Sequence, residues 1–271
     1  MVDSRAQWNT SRLGLRVGVD AVAAASSAVL VAPIVSMIDK GIMENASGRR
    51  TLGESLKSST SELLTKPWRF LGSKPFGLIF CLYFGTYFTA NSIDTVSSTI
   101  RHTRASSTTA GTSKFVATST ANLALCLYKD NRFTKLFGST SPRPVPPTTF
   151  ALFIVRDCLT IFASFNLPPL LAPHVESHLS SEVKKYVGAA SVAQFVTPAA
   201  VQIFSTPLHL LGLDLYNRSG VGVFGVDGRT RRVVRDWAKS AVARMGRIVP
   251  AFGVGGVVNT KVRGGLMGKL E

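Results

Sequence analysis

Acidic residues are scarce in this chain of 271 residues: 15 Asp and Glu face 31 Lys and Arg, for a formal net charge of +16. Charge of either sign is sparse at 17%, and the run from Tyr186 to Leu213 holds no Asp, Glu, Lys or Arg at all. Only three cysteines occur, Cys81, Cys126 and Cys158, widely spaced and each inside an apolar run. With no CxxC and no Cys/His ligand spacing they read as buried thiols, and neither a metal centre nor a disulfide framework is expected. Catalytic signatures are missing as well: there is no GxSxG, no Walker loop, no GxGxxG after a strand and no paired acids in a polar setting. These absences point to a non-enzyme that carries no cofactor.

What the chain has instead is apolar length. Hydrophobic residues make up 45%, mean hydropathy is +0.22, and the basic residues fall between apolar runs. A nucleic-acid binder spreads its Lys and Arg over a solvated face, so nucleic acid is not the expected partner. A run of roughly 20 apolar residues crosses the hydrocarbon core as a helix. Such runs lie near 17–38, 75–93, 105–128, 147–173, 186–213 and 238–259. The third is weakened by Ser, Thr and Lys114, and the sixth starts with Lys239, Arg244 and Arg247. Because backbone groups cannot stay unpaired in lipid, each run must be helical. The expected fold is an all-α, polytopic membrane helical bundle of about six transmembrane helices arranged as three hairpins. It fills 17–263, after a basic segment at 1–16 and before a tail at 264–271.

The loops after the first, third and fifth runs are longer and more basic than those after the second and fourth, which puts the three long ones on one side of the bilayer. In the first of them Leu52, Leu56, Leu63 and Leu64 alternate with Ser, Glu and Lys, the pattern of an amphipathic helix at the interface with Trp68 as anchor. The run Arg229 to Arg235 suggests a surface patch for anionic lipid such as cardiolipin. The N-terminal stretch, with Arg5, Arg12 and Arg16 against Asp3, resembles an organelle-targeting segment.

Charges inside spans are costly unless paired or facing a solute path, so they select the candidate site. Arg156 and Asp157 are adjacent and leave a helix about 100° apart, which predicts separate partners on other spans: Asp20 for Arg156, and Lys114, Arg244 or Arg247 for Asp157. Arg244 and Arg247 share a helix face and suit an anion. His209 stands alone in an apolar run, as a substrate contact, a titrating group or a helix-end histidine. Together Arg156, Asp157, His209, Arg244 and Arg247 form the candidate binding set, with helix kinks at Pro33 and Pro207.

Three hairpins with long basic loops on one side, Pro207 in Ser205-Thr206-Pro207-Leu208-His209, Pro33 in the first span, the aromatic stretch Tyr83 to Tyr87 and the Gly-rich segment Arg244 to Arg263 resemble the mitochondrial carrier family. That family ends odd-numbered spans with Pro-x-acid-x-x-base; here His209 takes the acid's place and Gly212 the base's, and Val35 and Ile38 take them in the first span. The resemblance implies a multi-pass protein of a mitochondrial membrane, the inner rather than the outer, transporting a small anionic solute. The missing gate charges imply an alternative, a transport-inactive scaffold that shapes membrane, binds a partner or assists protein insertion.

Overall fold

The computed structural model describes residues 8–108, 111–138, 143–178, 189–218, 220–222 and 228–270, and among these every regular element is helical. In chain order they are α1 (Leu13–Ser47), α2 (Leu52–Thr65), α3 (Pro67–Leu71), α4 (Lys74–Arg101), α5 (Thr112–Phe137), α6 (Pro147–Phe165), α7 (Leu167–His178), α8 (Ala189–Asn217), α9 (Arg229–Gly246), a π-helical turn (Val249–Val254) and α10 (Gly255–Gly268). Of the basic segment expected at 1–16, residues 1–7 lie outside the described residues and 13–16 already belong to α1, and the six apolar runs fall on α1, α4, α5, α6 with α7, α8, and α9 with α10.

Five stretches are long and apolar enough to cross a membrane: Leu13–Ser47, Lys74–Arg101, Pro147–Ser164, Phe195–Asn217 and Arg229–Gly268. The chain is therefore an all-α, multi-pass membrane protein. Helix α5 falls short of that apolarity, although it is 26 residues long and packs beside α4 and α6. Helix α1 packs on α4 and α10, and α8 packs between α6 and α9.

Local sequence sets the ends of these helices. Gly48, at φ 79°, stops α1 in a left-handed cap. Thr51 opens α2 with a capping box, its hydroxyl accepting from the Glu54 N–H while the Glu54 carboxylate accepts from the Thr51 N–H. Pro residues at the first turns of α3, α4 and α6 lose no hydrogen bond there. As the alternating leucines predicted, α2 is amphipathic; Leu52 and Leu56 meet α1 at Gly41, while Trp68 on α3 is 85% exposed.

Charged side chains are buried beside the apolar core, while large apolar side chains face outward. Val22, Val29, Leu30 and Ile34 of α1 and Ile154, Val155, Leu159 and Phe162 of α6 face outward, while Asp20, Asp39, Arg156 and Asp157 on the same helices are buried. A water-soluble bundle would reverse this order, because buried charges cost far more than exposed leucines. Surrounding acyl chains remove the penalty on the outer face. The same logic corrects the expectation for the cysteines: Cys81 and Cys158 lie on the outer surface, and only Cys126 is partly buried.

Two breaks in the helices are repaired by side chains. Pro207 has no N–H for the Ile203 carbonyl one turn back, and the Trp237 indole N–H of α9 donates to that carbonyl instead, at 2.8 Å. In the π turn the Gly255 N–H bonds to the Pro250 carbonyl, which frees that of Ala251, and the Tyr87 hydroxyl of α4 donates to it at 2.6 Å. Gly255 must be glycine for this contact, since a Cβ there would collide with the Tyr87 hydroxyl and with Val31.

Candidate functional site

Near the N-terminal end of α1 lies a belt of polar groups in which both carboxylate oxygens of Asp20 are paired. Asp20 accepts from Arg263 Nε at 2.7 Å and from the Thr95 hydroxyl at 2.5 Å, and Arg263 also donates to the Ala105 carbonyl. Beside them Asn91 and Asn259 exchange amide hydrogen bonds at 2.9 and 2.8 Å. Asp20 is thus the partner of Arg263, correcting the expectation that it serves Arg156. Lys114 likewise pairs with Asp94, at 2.6 Å, and not with Asp157.

Five turns further along α1, about 28 Å at 1.5 Å per residue, Asp39 starts a second polar cluster. Arg247 and Lys129 both reach it at 2.8 Å. Lys129 also contacts Asp130 at 2.6 Å, and Asp130 contacts Arg156 Nη2 at 2.6 Å. Arg156 donates to Asp157 Oδ1 through Nε at 2.9 Å and Nη2 at 2.6 Å. The expectation that these neighbours are too divergent to pair is corrected: a long guanidinium folds back along the helix far enough to span the 100° between them.

The chain of contacts Arg247, Asp39, Lys129, Asp130, Arg156, Asp157 ties together α1, α5, α6 and the end of α9. Helix α8 adds His209. Arg156 Nη1 lies 2.7 Å from His209 Nδ1, and because a guanidinium only donates, Nδ1 is the acceptor and the imidazole is neutral with its proton on Nε2. The Phe153 ring packs against both, with its centroid 5.0 Å from the Arg156 guanidinium carbon and 5.3 Å from the His209 ring.

Arg244 is different. It is 1% exposed, its Nε donates to Gln202 Oε1 at 3.0 Å, and its Nη2 has no partner. No carboxylate pairs with it among the described residues. Asp157 in turn keeps Oδ2 without a partner, as do the buried hydroxyls of Thr206 and Ser240. Buried polar groups left without a partner are costly.

Of the five residues selected from sequence, Arg156 contacts both Asp157 and His209, Arg247 joins them through Asp39, Lys129 and Asp130, and Arg244 is buried with an open nitrogen among the described residues. Asp39, Lys129, Asp130 and Gln202 were not selected. Asp39 and Lys129 had been placed at span ends, yet α1 continues to Ser47 and α5 to Phe137, which draws them into the protein. The run of Phe133 and Phe137 one and two turns after Lys129 was the available signal. Pro33 and Pro207 both lie inside helices. The Arg229 to Arg235 patch is only partly at the surface: Arg229 is buried against Asp214 at 2.7 Å, and Arg232 donates to the Ala46 carbonyl.

A family model described as "Probable citrulline exporter" matches residues 23–267. The chain belongs to that family. The match covers all of the described helices except the ends of the first and last, and it replaces the resemblance to mitochondrial carriers, for which no family match exists. Two prolines and a hairpin pattern satisfy any kinked helical bundle, whereas the carriers' acid and base positions were never filled. No curated protein and no solved structure matches the chain. Membership supports a role in membrane transport.

Proposed function

We propose that this protein exports a neutral, zwitterionic α-amino acid, with citrulline the first substrate to test, and that the cluster around Arg244 is its binding site. The observation that carries the proposal is the pair of open charges. Four cations (Lys129, Arg156, Arg244 and Arg247) share three carboxylates (Asp39, Asp130 and Asp157), so Arg244 is left over with Nη2 open while Asp157 keeps Oδ2 open. An α-amino acid brings a carboxylate for the first and an ammonium for the second. Citrulline's side chain ends in an uncharged ureido group, which suits the unpartnered Thr206 and Ser240 hydroxyls better than another ion. The small anion implied by the resemblance to carriers would satisfy Arg244 but be repelled by Asp157.

Binding would draw Asp157 and Arg244 towards the ligand and loosen the Arg156–Asp157 pair, so that occupancy is coupled to the contacts joining α6, α8 and α9. The prolines and the π turn on these elements supply places where the helices bend. We take α5 as a sixth span, because it carries Lys129 and Asp130 into the cluster, which completes three hairpins. We also propose a mitochondrial membrane, the inner rather than the outer, on the strength of the basic N-terminal segment alone. The scaffold alternative gains nothing from a site held open in this way.

The test is efflux of radiolabelled citrulline from vesicles containing the purified protein. Neutral α-amino acids should compete, while decarboxylated citrulline, N-acetylcitrulline and malate should not. Competition by malate with none by citrulline would overturn the assignment, and so would the absence of any flux across this panel.

A further inference from the structure

A cavity of about 320 Å³ lies at the end of the bundle that holds the N-terminus of α1, the C-terminus of α4 and the end of α10, remote from the Arg244 cluster. Its lining includes Arg16, His102 and Arg104, together with Ser11 and Thr103, and among the described residues no Asp or Glu. Arg16 is 6% exposed, yet all of its bonds go to neutral acceptors: Nη1 to the Asn9 carbonyl at 3.3 Å, and Nη2 to the Thr95 carbonyl at 3.3 Å and the Ser98 hydroxyl at 2.7 Å. Its Nε is buried without a partner. The Arg104 guanidinium and the His102 ring carry no hydrogen bond or ion pair among the described residues.

The backbone around the cavity is also unusual. Among the described residues two without the freedom of glycine adopt positive φ, Arg12 at 51° and His102 at 54°, and both flank this site. Arg12 opens α1 and ties its guanidinium to the Leu270 carbonyl, and His102 ends α4, turning the chain so that residues 102–104 meet the cavity. Left-handed conformations at such residues carry a cost that persists where a site requires the geometry.

We infer that this cavity binds a phosphate group, held by Arg16, Arg104 and His102. Two permanent positive charges with no acid among the described lining residues call for an anion, and donors from two helices and a turn match the several oxygens of a phosphate better than the two of a carboxylate. Arg16 is fixed in place by its neutral partners and offers Nε; Arg104 and His102 are exposed and free to close over the ligand. The phosphate can come from free inorganic phosphate or from the headgroup of a phospholipid, since the cavity lies where the bundle leaves the bilayer.

Full-length protein in a maltoside detergent free of phospholipid, titrated with inorganic phosphate by calorimetry, tests the first source. Retention of phosphatidylglycerol in native mass spectrometry tests the second. Arg104→Gln should weaken whichever binding occurs by about tenfold, the worth of one charge-assisted hydrogen bond, while Lys57→Gln on the exposed face of α2 should leave it unchanged. Arg104 is exposed, so its variant reports on binding even where Arg16→Gln fails to fold. Saturable phosphate binding assigns the free ion, and phosphatidylglycerol retention that phosphate does not compete away assigns the headgroup. No saturable binding of either, or binding untouched by Arg104→Gln, overturns the inference.

Discussion

The two polar regions on α1 follow opposite rules. Around Asp20 one acid meets one base, both carboxylate oxygens are used, and the neighbouring asparagines answer each other amide for amide. Around Asp39 there is more charge, drawn from three other helices, and it does not balance: Arg244 and Asp157 end with open atoms. A closed network holds helices in one arrangement, and its neutrality makes it as cheap as buried polarity can be. An unbalanced network is poised to accept an ion or a zwitterion and to rearrange when it does. The comparison teaches that the amount of buried charge says little about function; the remainder after pairing says more.

The largest effect should come from Asp130→Ala. This carboxylate serves both Lys129 and Arg156, and removing one member of a buried ion network costs about 3–5 kcal/mol. A collapse of the melting temperature in detergent or nanodiscs is the expected result. By contrast, the double variant Asp20→Asn with Arg263→Gln removes acid and base together and should cost less stability than Asp130→Ala while leaving citrulline efflux measurable. If efflux vanished in a folded double variant, the division between a structural belt and a functional cluster would fail.

Smaller effects probe the repaired helices. Gly255→Ala forces a methyl against the Tyr87 hydroxyl and Val31, an overpacking cost of about 1–3 kcal/mol, seen as a lowered melting temperature. Trp237→Phe keeps the ring but leaves the Ile203 carbonyl beside Pro207 unanswered, for about 1 kcal/mol.

The smallest effect is a pH dependence at α2. The Thr51 backbone and side-chain hydrogen bonds hold the Glu54 carboxyl below its ordinary 4.5. A carboxyl lowered on folding stabilises fully above its unfolded pKa and loses that contribution as pH falls through the lower folded value. The difference in melting temperature between the native chain and Glu54→Gln should therefore shrink as the pH drops below 4.5.

Much of this architecture was legible before any coordinates, for a physical reason. Lipid demands helices of a certain length and leaves charges within them conspicuous, so Arg156, Asp157, Arg244 and Arg247 could be selected by their surroundings alone. Their partners could not. Hydropathy marks where the acyl chains end, not where the helix ends, and Asp39 and Lys129 lie beyond the first boundary but within the second. The pairing of Arg156 with its neighbour depends on how far a flexible side chain folds back, which helical angles do not give. The family likeness misled because proline positions and loop lengths report a kinked bundle in general, whereas charged motifs report a particular one.

The most direct test of the central claim measures Arg244→Gln twice, for citrulline efflux from vesicles and for thermal stability in the same preparation. If Arg244 is held unpaired for a substrate carboxylate, efflux falls to the level of empty vesicles while the melting temperature stays equal or rises, because an uncompensated buried charge has been removed. Efflux preserved in the variant, or lost only together with the fold, would contradict that account.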